Sequence, residues 1–203
     1  MNVLKSWGTP LLVAGLLAAC ASPSPAPVLL TLPPATPPMA SAAPAAAVAA
    51  APLLAVRRVN IPEYLVARRV RYRADSSTLA EWPNTFWAER IEIGVSREFV
   101  AALRQQLPGW ALCDTNCGDA VPALSLQVDL VPMDYLRSTR RLQARARIVL
   151  SSGGVPAREL KALELAYDLP AGGDTAQAHA EAISELIRQA AQAVAPLVRE
   201  APR

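Results

Sequence analysis

Two stretches of this chain alternate between apolar and polar residues with little exception. Leu124, Leu126, Val128 and Leu130 alternate with Ser125, Gln127 and Asp129, and Leu142, Ala144, Ala146, Ile148 and Leu150 alternate with Arg141, Gln143, Arg145 and Arg147. Successive side chains of an extended strand point to opposite faces, so this pattern predicts two half-buried β-strands. Ser151-Ser152-Gly153-Gly154 supplies a turn after the second. Glu159 to Leu169 reads as a third strand with an ambiguous register: Leu160 and Ala162 favour one face, and Leu163, Leu165 and Tyr167 favour the other. Consecutive strands joined by short links predict an antiparallel meander.

Upstream, Leu54 to Ile61 reads as a strand ended by Pro62, Leu65 to Arg73 as a second, and Ser77 to Trp82 as a short third. A helix is then expected, capped by Asn84 or Thr85, with Trp87, Ile91, Val95, Phe99, Leu103 and Leu107 on one face and Pro108-Gly109 as its stop. A terminal helix follows a cap at Asp174 or Thr175, with Ile183, Ile187, Ala190, Val194 and Leu197 as its apolar stripe. Pro196 is expected to bend or fray its last turn. Trp82, Trp87 and Trp110 are expected in the core. The sum is an α+β fold, an antiparallel β-sheet with two amphipathic helices packed on one face.

The N-terminus carries a different signal. Lys5 precedes the apolar run Leu11 to Leu17, and Ala18 and Ala19 precede Cys20. That is the layout of a secretory signal, too short to span a bilayer. Leu17-Ala18-Ala19-Cys20 resembles the bacterial lipoprotein box. The resemblance implies cleavage before Cys20 and acylation of that cysteine with palmitate-type chains, a durable anchor when several chains act together. Ala21 after the cysteine, rather than Asp, implies sorting to the outer membrane with the folded part on its periplasmic face. The expected divisions are 1–19 as signal peptide, 20–52 as lipidated cysteine and Pro/Ala-rich tether, and 53–200 as the periplasmic domain. Prolines recur through the tether from Pro23 to Pro52, which favours extended chain and a domain held tens of ångströms from the membrane. Within it, Val28 to Leu32 is a short apolar patch that could dock as an edge strand.

Removal of residues 1–19 takes away only Lys5, so the formal charge falls from +3 to +2. That is no nucleic-acid footprint. With Cys20 lipidated, Cys113 and Cys117 remain as a pair in an oxidising compartment, and a small disulfide loop is the first reading. A metal site would need further ligands, and a redox pair would normally show two intervening residues rather than three. Neither a metal nor a cofactor is expected. Glycine-rich phosphate loops, nucleophile elbows and zinc-protease motifs do not occur. His179 is read as a solvated helix residue.

Two surface features invite functional readings. Arg141, Arg145 and Arg147 share the polar face of their strand, where they could meet lipid headgroups or an acidic partner, or simply keep that face solvated. Tyr64 and Leu65 follow Pro62 and could anchor a partner or fill the edge of the core.

The phrase Val59-Asn60-Ile61-Pro62-Glu63-Tyr64-Leu65, the following Arg71-Tyr72-Arg73, and Phe86-Trp87-Ala88-Glu89 at the approach to the helix resemble the auxiliary lipoproteins of Mce-type ABC transport systems. The early Leu30-Thr31-Leu32 resembles the short strand these proteins carry soon after the lipidated cysteine. The resemblance implies a non-enzymatic, outer-membrane accessory subunit. Its implied partners are an Mce-domain protein and an inner-membrane permease, and a second copy of the chain is a further candidate. The implied process is transfer of phospholipid or another hydrophobic substrate in support of envelope integrity. The competing class is an assembly or pilot lipoprotein for an outer-membrane protein or secretion complex, which would use the same anchor and a similar domain.

Overall fold

The computed structural model describes residues 25–35, 51–114 and 117–202. Cys20 and the signal segment lie outside them. The strands are β1 (Val28–Leu30), β2 (Leu53–Val56), β3 (Arg69–Arg73), β4 (Leu79–Trp87), β5 (Ala111–Cys113), β6 (Leu124–Leu136), β7 (Arg141–Ser152) and β8 (Glu159–Pro170). Helix α1 (Ile91–Gln106) lies between β4 and β5, and α2 (Ala176–Arg199) closes the fold.

The long strand β6 organises the sheet. One of its edges pairs along its length with β7, which in turn pairs with β8, both antiparallel. Its other edge is divided: β2 runs parallel to Leu124–Leu126, Asn60 bridges to Asp129, and β3 meets Leu136. Beyond β3 come β4 and then β1, and beyond β2 comes β5. The meander β6–β7–β8 is antiparallel as its short links require. The sheet as a whole is mixed, which corrects the expectation of a purely antiparallel one. The pairs β1/β4, β2/β5, β2/β6 and β3/β6 are parallel. Parallel neighbours need a long crossover, and α1 with its flanking segments lies in sequence between β2 and both of its parallel partners.

Alternation in β6 and β7 sorts the residues as their chemistry requires. Leu142, Ala146, Ile148 and Leu150 are at most 1% exposed, whereas Gln143, Arg145 and Arg147 face solvent. Helix α2 lies on the buried face of β7 and β8 and packs beside α1. Its buried side includes Ala180, Ala182, Ala190, Ala191 and Ala195, whose small side chains let it approach closely, and Ile183, Leu186, Ile187 and Val194 fill the space between. Each fully buried Leu or Ile contributes about 1.5–3 kcal/mol.

Two bulges settle local irregularities. Leu150 pairs with Lys161 and Ser151 with Glu159, so Leu160 is an extra residue that flips the register of β8. Below it, Leu163, Leu165, Tyr167 and Leu169 turn inward, which reconciles the two apolar faces in the sequence. In β6, Leu130 pairs with Ala146 and Met133 with Ala144, leaving Val131 and Pro132 opposite Arg145. Proline lacks the ladder donor, and a bulge is where a strand tolerates that.

The first helix starts later than expected. Asn84 and Thr85 belong to β4, Trp87 ends that strand buried, and Arg90 occupies the cap position of α1 without a side-chain cap bond. Leu65 belongs to a 3-10 turn, Glu63–Leu65, so the strand expected from Leu65 is only Arg69–Arg73. At α2, Thr175 is the cap, accepting from the Ala178 amide at 3.1 Å. The helix continues through Pro196 to Arg199, and the Glu200 amide closes on the Pro196 carbonyl at 3.0 Å.

Candidate functional site

Strands β3 and β6 end side by side, which brings Arg73 next to Arg137. Arg73 is in register with Leu136, and the Arg137 amide donates to the Arg73 carbonyl at 3.4 Å. Around this point the charges are matched. The Arg73 guanidinium donates to Asp134 Oδ1 at 3.1 Å, and the Tyr64 hydroxyl donates to the same oxygen at 2.9 Å. Arg71 Nη1 donates to the Tyr64 carbonyl at 2.9 Å. Burial and the Asp134 carboxylate push the Tyr64 phenol up from its ordinary pKa, while Arg73 pulls it down. Arg137 forms a two-pronged pair with Asp174 at 2.8 and 3.1 Å and donates to the Tyr72 hydroxyl at 2.8 Å. Its guanidinium lies 4.5 Å from the Trp82 ring centre, a cation–π geometry.

Behind Arg137 an aromatic column runs into the core. Tyr72 contacts Trp82 at 5.0 Å between ring centres, Trp82 faces Tyr135 at 6.3 Å, and Tyr135 stacks on His179 at 4.5 Å. His179 is only 3% exposed, which corrects its reading as a solvated helix residue. Its flanking alanines are too small to signal burial, and the ring that covers it comes from β6. Burial favours the neutral imidazole and holds its pKa at about 3. The arrangement is a structural staple: it ties the 3-10 turn, β3, β6 and the cap of α2 together. Tyr64 is therefore bound into a network, and Leu65 packs against the core, so the two do not form an exposed pair.

Arg141, Arg145 and Arg147 share a sheet face but not an environment. Arg141 pairs with Asp168 at 2.7 Å. Arg147 lies in register between Asp129 and Glu164, a carboxylate on each neighbouring strand. Arg145 faces Ala166 on one side and the Val131–Pro132 bulge on the other. Arg145, Arg147, Val131 and Ala166, without Arg141, wall a surface groove of about 610 Å³, to which Asn60, Asp129 and Glu164 add polar groups. A second groove of about 420 Å³ surrounds the start of α1, lined by Val66, Arg68, Glu89, Arg90 and Glu92. There the 6%-exposed Glu92 pairs with Arg90, and Arg97 clamps both oxygens of Glu89 at 2.6 and 2.7 Å. The described residues contain no group of three or more His, Cys, Asp or Glu side chains placed to hold a metal.

Cys113 and Cys117 are joined by a disulfide, with Cα atoms 5.2 Å apart, at the end of β5. Trp82 and Trp87 are buried, and Trp110 packs against the core from its edge. Sequence reasoning did not single out Ser184 or Glu98, and it read Asn84 as a helix cap. They are the residues that fasten the N-terminal segment: Ser184 to the Pro33 carbonyl at 2.7 Å, Glu98 to the Ala35 amide at 3.3 Å, and Asn84 to the Pro25 carbonyl at 2.8 Å. A serine within the apolar stripe of α2 was the available signal.

The comparisons agree with this architecture. Two solved structures share the fold: the crystal structure of an uncharacterized protein, with a TM-score of 0.67 at 18% identity over 86% of this chain and 99% of that one, and a protein from Xanthomonas campestris, with a TM-score of 0.58 at 14% identity over 74% of this chain and 87% of that one. Among curated relatives, the intermembrane transport lipoprotein PqiC of Escherichia coli K12 and that of Shigella flexneri are each 32% identical over 76 residues. That match spans 37% of this chain and 41% of the length of each relative. Residues 31–195 match the family model for the ABC-type transport auxiliary lipoprotein component, and the chain belongs to that family.

Proposed function

We propose that this chain is a non-enzymatic outer-membrane lipoprotein, an accessory subunit of an Mce-type ABC system that moves phospholipid or another hydrophobic substrate across the periplasm and supports envelope integrity. The family match over residues 31–195 carries the reading. The relatives' description as intermembrane transport lipoproteins supports its transport part. Cys20 supplies the anchor, acylated after cleavage of residues 1–19; no helix among the described residues is long and apolar enough to cross a membrane. The grooves are walled by charged side chains, unlike the apolar cavity that a two-chain lipid needs. That favours a subunit that positions partners, the Mce-domain protein and the permease, over one that carries lipid itself.

The test is complementation. Cells lacking the chain receive the wild type or the Cys20→Ser variant, and exchange of pulse-labelled phospholipid between the two membranes is followed. Wild type restores the normal rate and Cys20→Ser does not. An exchange rate that is the same with and without the chain sinks the proposal.

A further inference from the structure

The segment after the lipidation motif does not swing free. Asn84 Nδ2 donates to the carbonyls of both Pro25 and Ala26, at 2.8 and 3.0 Å. Strand β1 then pairs with β4, the Leu30 carbonyl accepts from Ala88 at 2.7 Å, and Leu32 is 5% exposed. Asn84 can reach the segment because it adopts a left-handed φ of 49° in an irregular part of β4, where Arg69 pairs with Phe86 and Arg71 with Glu81. The leash is therefore short. Five residue steps separate Cys20 from Pro25, and fully extended chain covers at most about 18 Å in that distance. Residues 36–50 add nothing to it, because the chain is attached to the domain on both sides of them, at Ala35 and at β2.

We infer that the β1–β4 edge of the sheet rests on the membrane surface, with Val28, Leu29, Phe86 and Arg69 as the contact. This inference rests on acylation of Cys20. The register places Leu29 opposite Phe86 and Phe86 opposite Arg69, so the three share one face. Val28 and Leu29 are 51% and 57% exposed, and β1 is the terminal strand of the sheet on this side. The Arg69 guanidinium sits 4.9 Å from the Phe86 ring centre, with its Nε 3.3 Å from Glu81 Oε2 and the rest of its half-exposed side chain open to solvent. Apolar tips beside an arginine on an aromatic ring suit the headgroup boundary, where the tips leave water and the cation meets phosphate. Exposed valine and leucine at the one edge tied to the anchor are thus given an occupant by the length of the leash.

The test places a photoreactive side chain in the full-length protein, reconstituted into phosphatidylethanolamine/phosphatidylglycerol vesicles. Leu29→p-benzoylphenylalanine is compared with Arg147→p-benzoylphenylalanine on the β7 face, and intact mass reports acylation of Cys20. Phospholipid adducts at position 29 at least tenfold above those at 147 are expected. A Gly/Ser insertion of 20 residues after Ser22 should lower the adduct at 29 several-fold. Equal yields at both positions in acylated protein, or no loss on insertion, would overturn the membrane contact while leaving the anchor intact. A mass without acyl chains would overturn the anchor, and the contact with it.

Discussion

The Ser184 hydroxyl of α2 donates to the Pro33 carbonyl at 2.7 Å, joining residues 151 positions apart in sequence. The N-terminal segment is thus fixed to the helix that completes the fold. Leu32 inserts beside this bond and belongs to the main core. Leu32→Ala is expected to cost about 2–4 kcal/mol and Ser184→Ala about 1 kcal/mol in urea unfolding of the chain. Unchanged midpoints in both would mean that the segment does not stay docked in solution.

The bond from Tyr64 to Asp134 makes the Ile61–Leu65 phrase a structural lock. Tyr64→Phe should destabilise by about 1 kcal/mol, and Asp134→Ala by about 1–3 kcal/mol because it strands both Tyr64 and Arg73. A double-mutant cycle between positions 64 and 134 should show coupling of at least about 0.5 kcal/mol. Additive effects would remove the lock.

His179 makes acid stability depend on its burial. Its folded pKa of about 3 lies below the ordinary value of 6.5, so below pH 6.5 the unfolded chain binds a proton that the native state excludes. Its contribution is therefore fully retained above pH 6.5 and falls as pH drops toward 3, by up to about 1.4 kcal/mol per pH unit. Thermal unfolding of His179→Phe between pH 7 and 4 should show a shallower acid decline than wild type. Parallel declines would mean that His179 does not set this limb.

Gly153 lies against the strand connection before β6, and a β-carbon there would overlap the Pro122 carbonyl oxygen. Gly153→Ala should cost about 1–3 kcal/mol, whereas Gly154→Ala, with open space around it, should stay within about 1 kcal/mol. Denaturant titration of the two variants checks the contrast.

Arg145 and Arg147 stand outside the ion-paired staple. Replacing both with Ser should leave stability within about 1 kcal/mol, since exposed charges contribute little. If the β7 face serves a partner, the same variant loses capture of that partner in the envelope while its melting temperature holds. Full capture would assign that face to solvation.

The meander was legible because β6 and β7 bury one face each, and a two-residue period reports that directly. The bulge at Leu160 was legible only as an ambiguity, since a bulge appears in sequence as two competing phases. The start of α1 was not legible. Trp87 and Ile91 fit a helical spacing, yet Trp87 ends a strand and Ile91 begins the helix, and both reach the same core. The parallel neighbours of β6 were hidden because alternation reports which face is buried, not which distant strand lies alongside. His179 was misread for the same reason, since Tyr135 covers it from 44 positions away in sequence. At the candidate site, the pattern placed Arg141, Arg145 and Arg147 on one face but could not show that Asp168 takes the first and that acidic neighbours flank the last.

The most direct test of the transport role is an affinity capture of the full-length protein from gently solubilised envelopes, with mass spectrometry of the co-purifying proteins and lipids. The expected result is recovery of an Mce-domain protein together with components of its permease. Recovery of a secretin or an outer-membrane β-barrel without any Mce-domain protein would contradict it and favour the assembly-lipoprotein role.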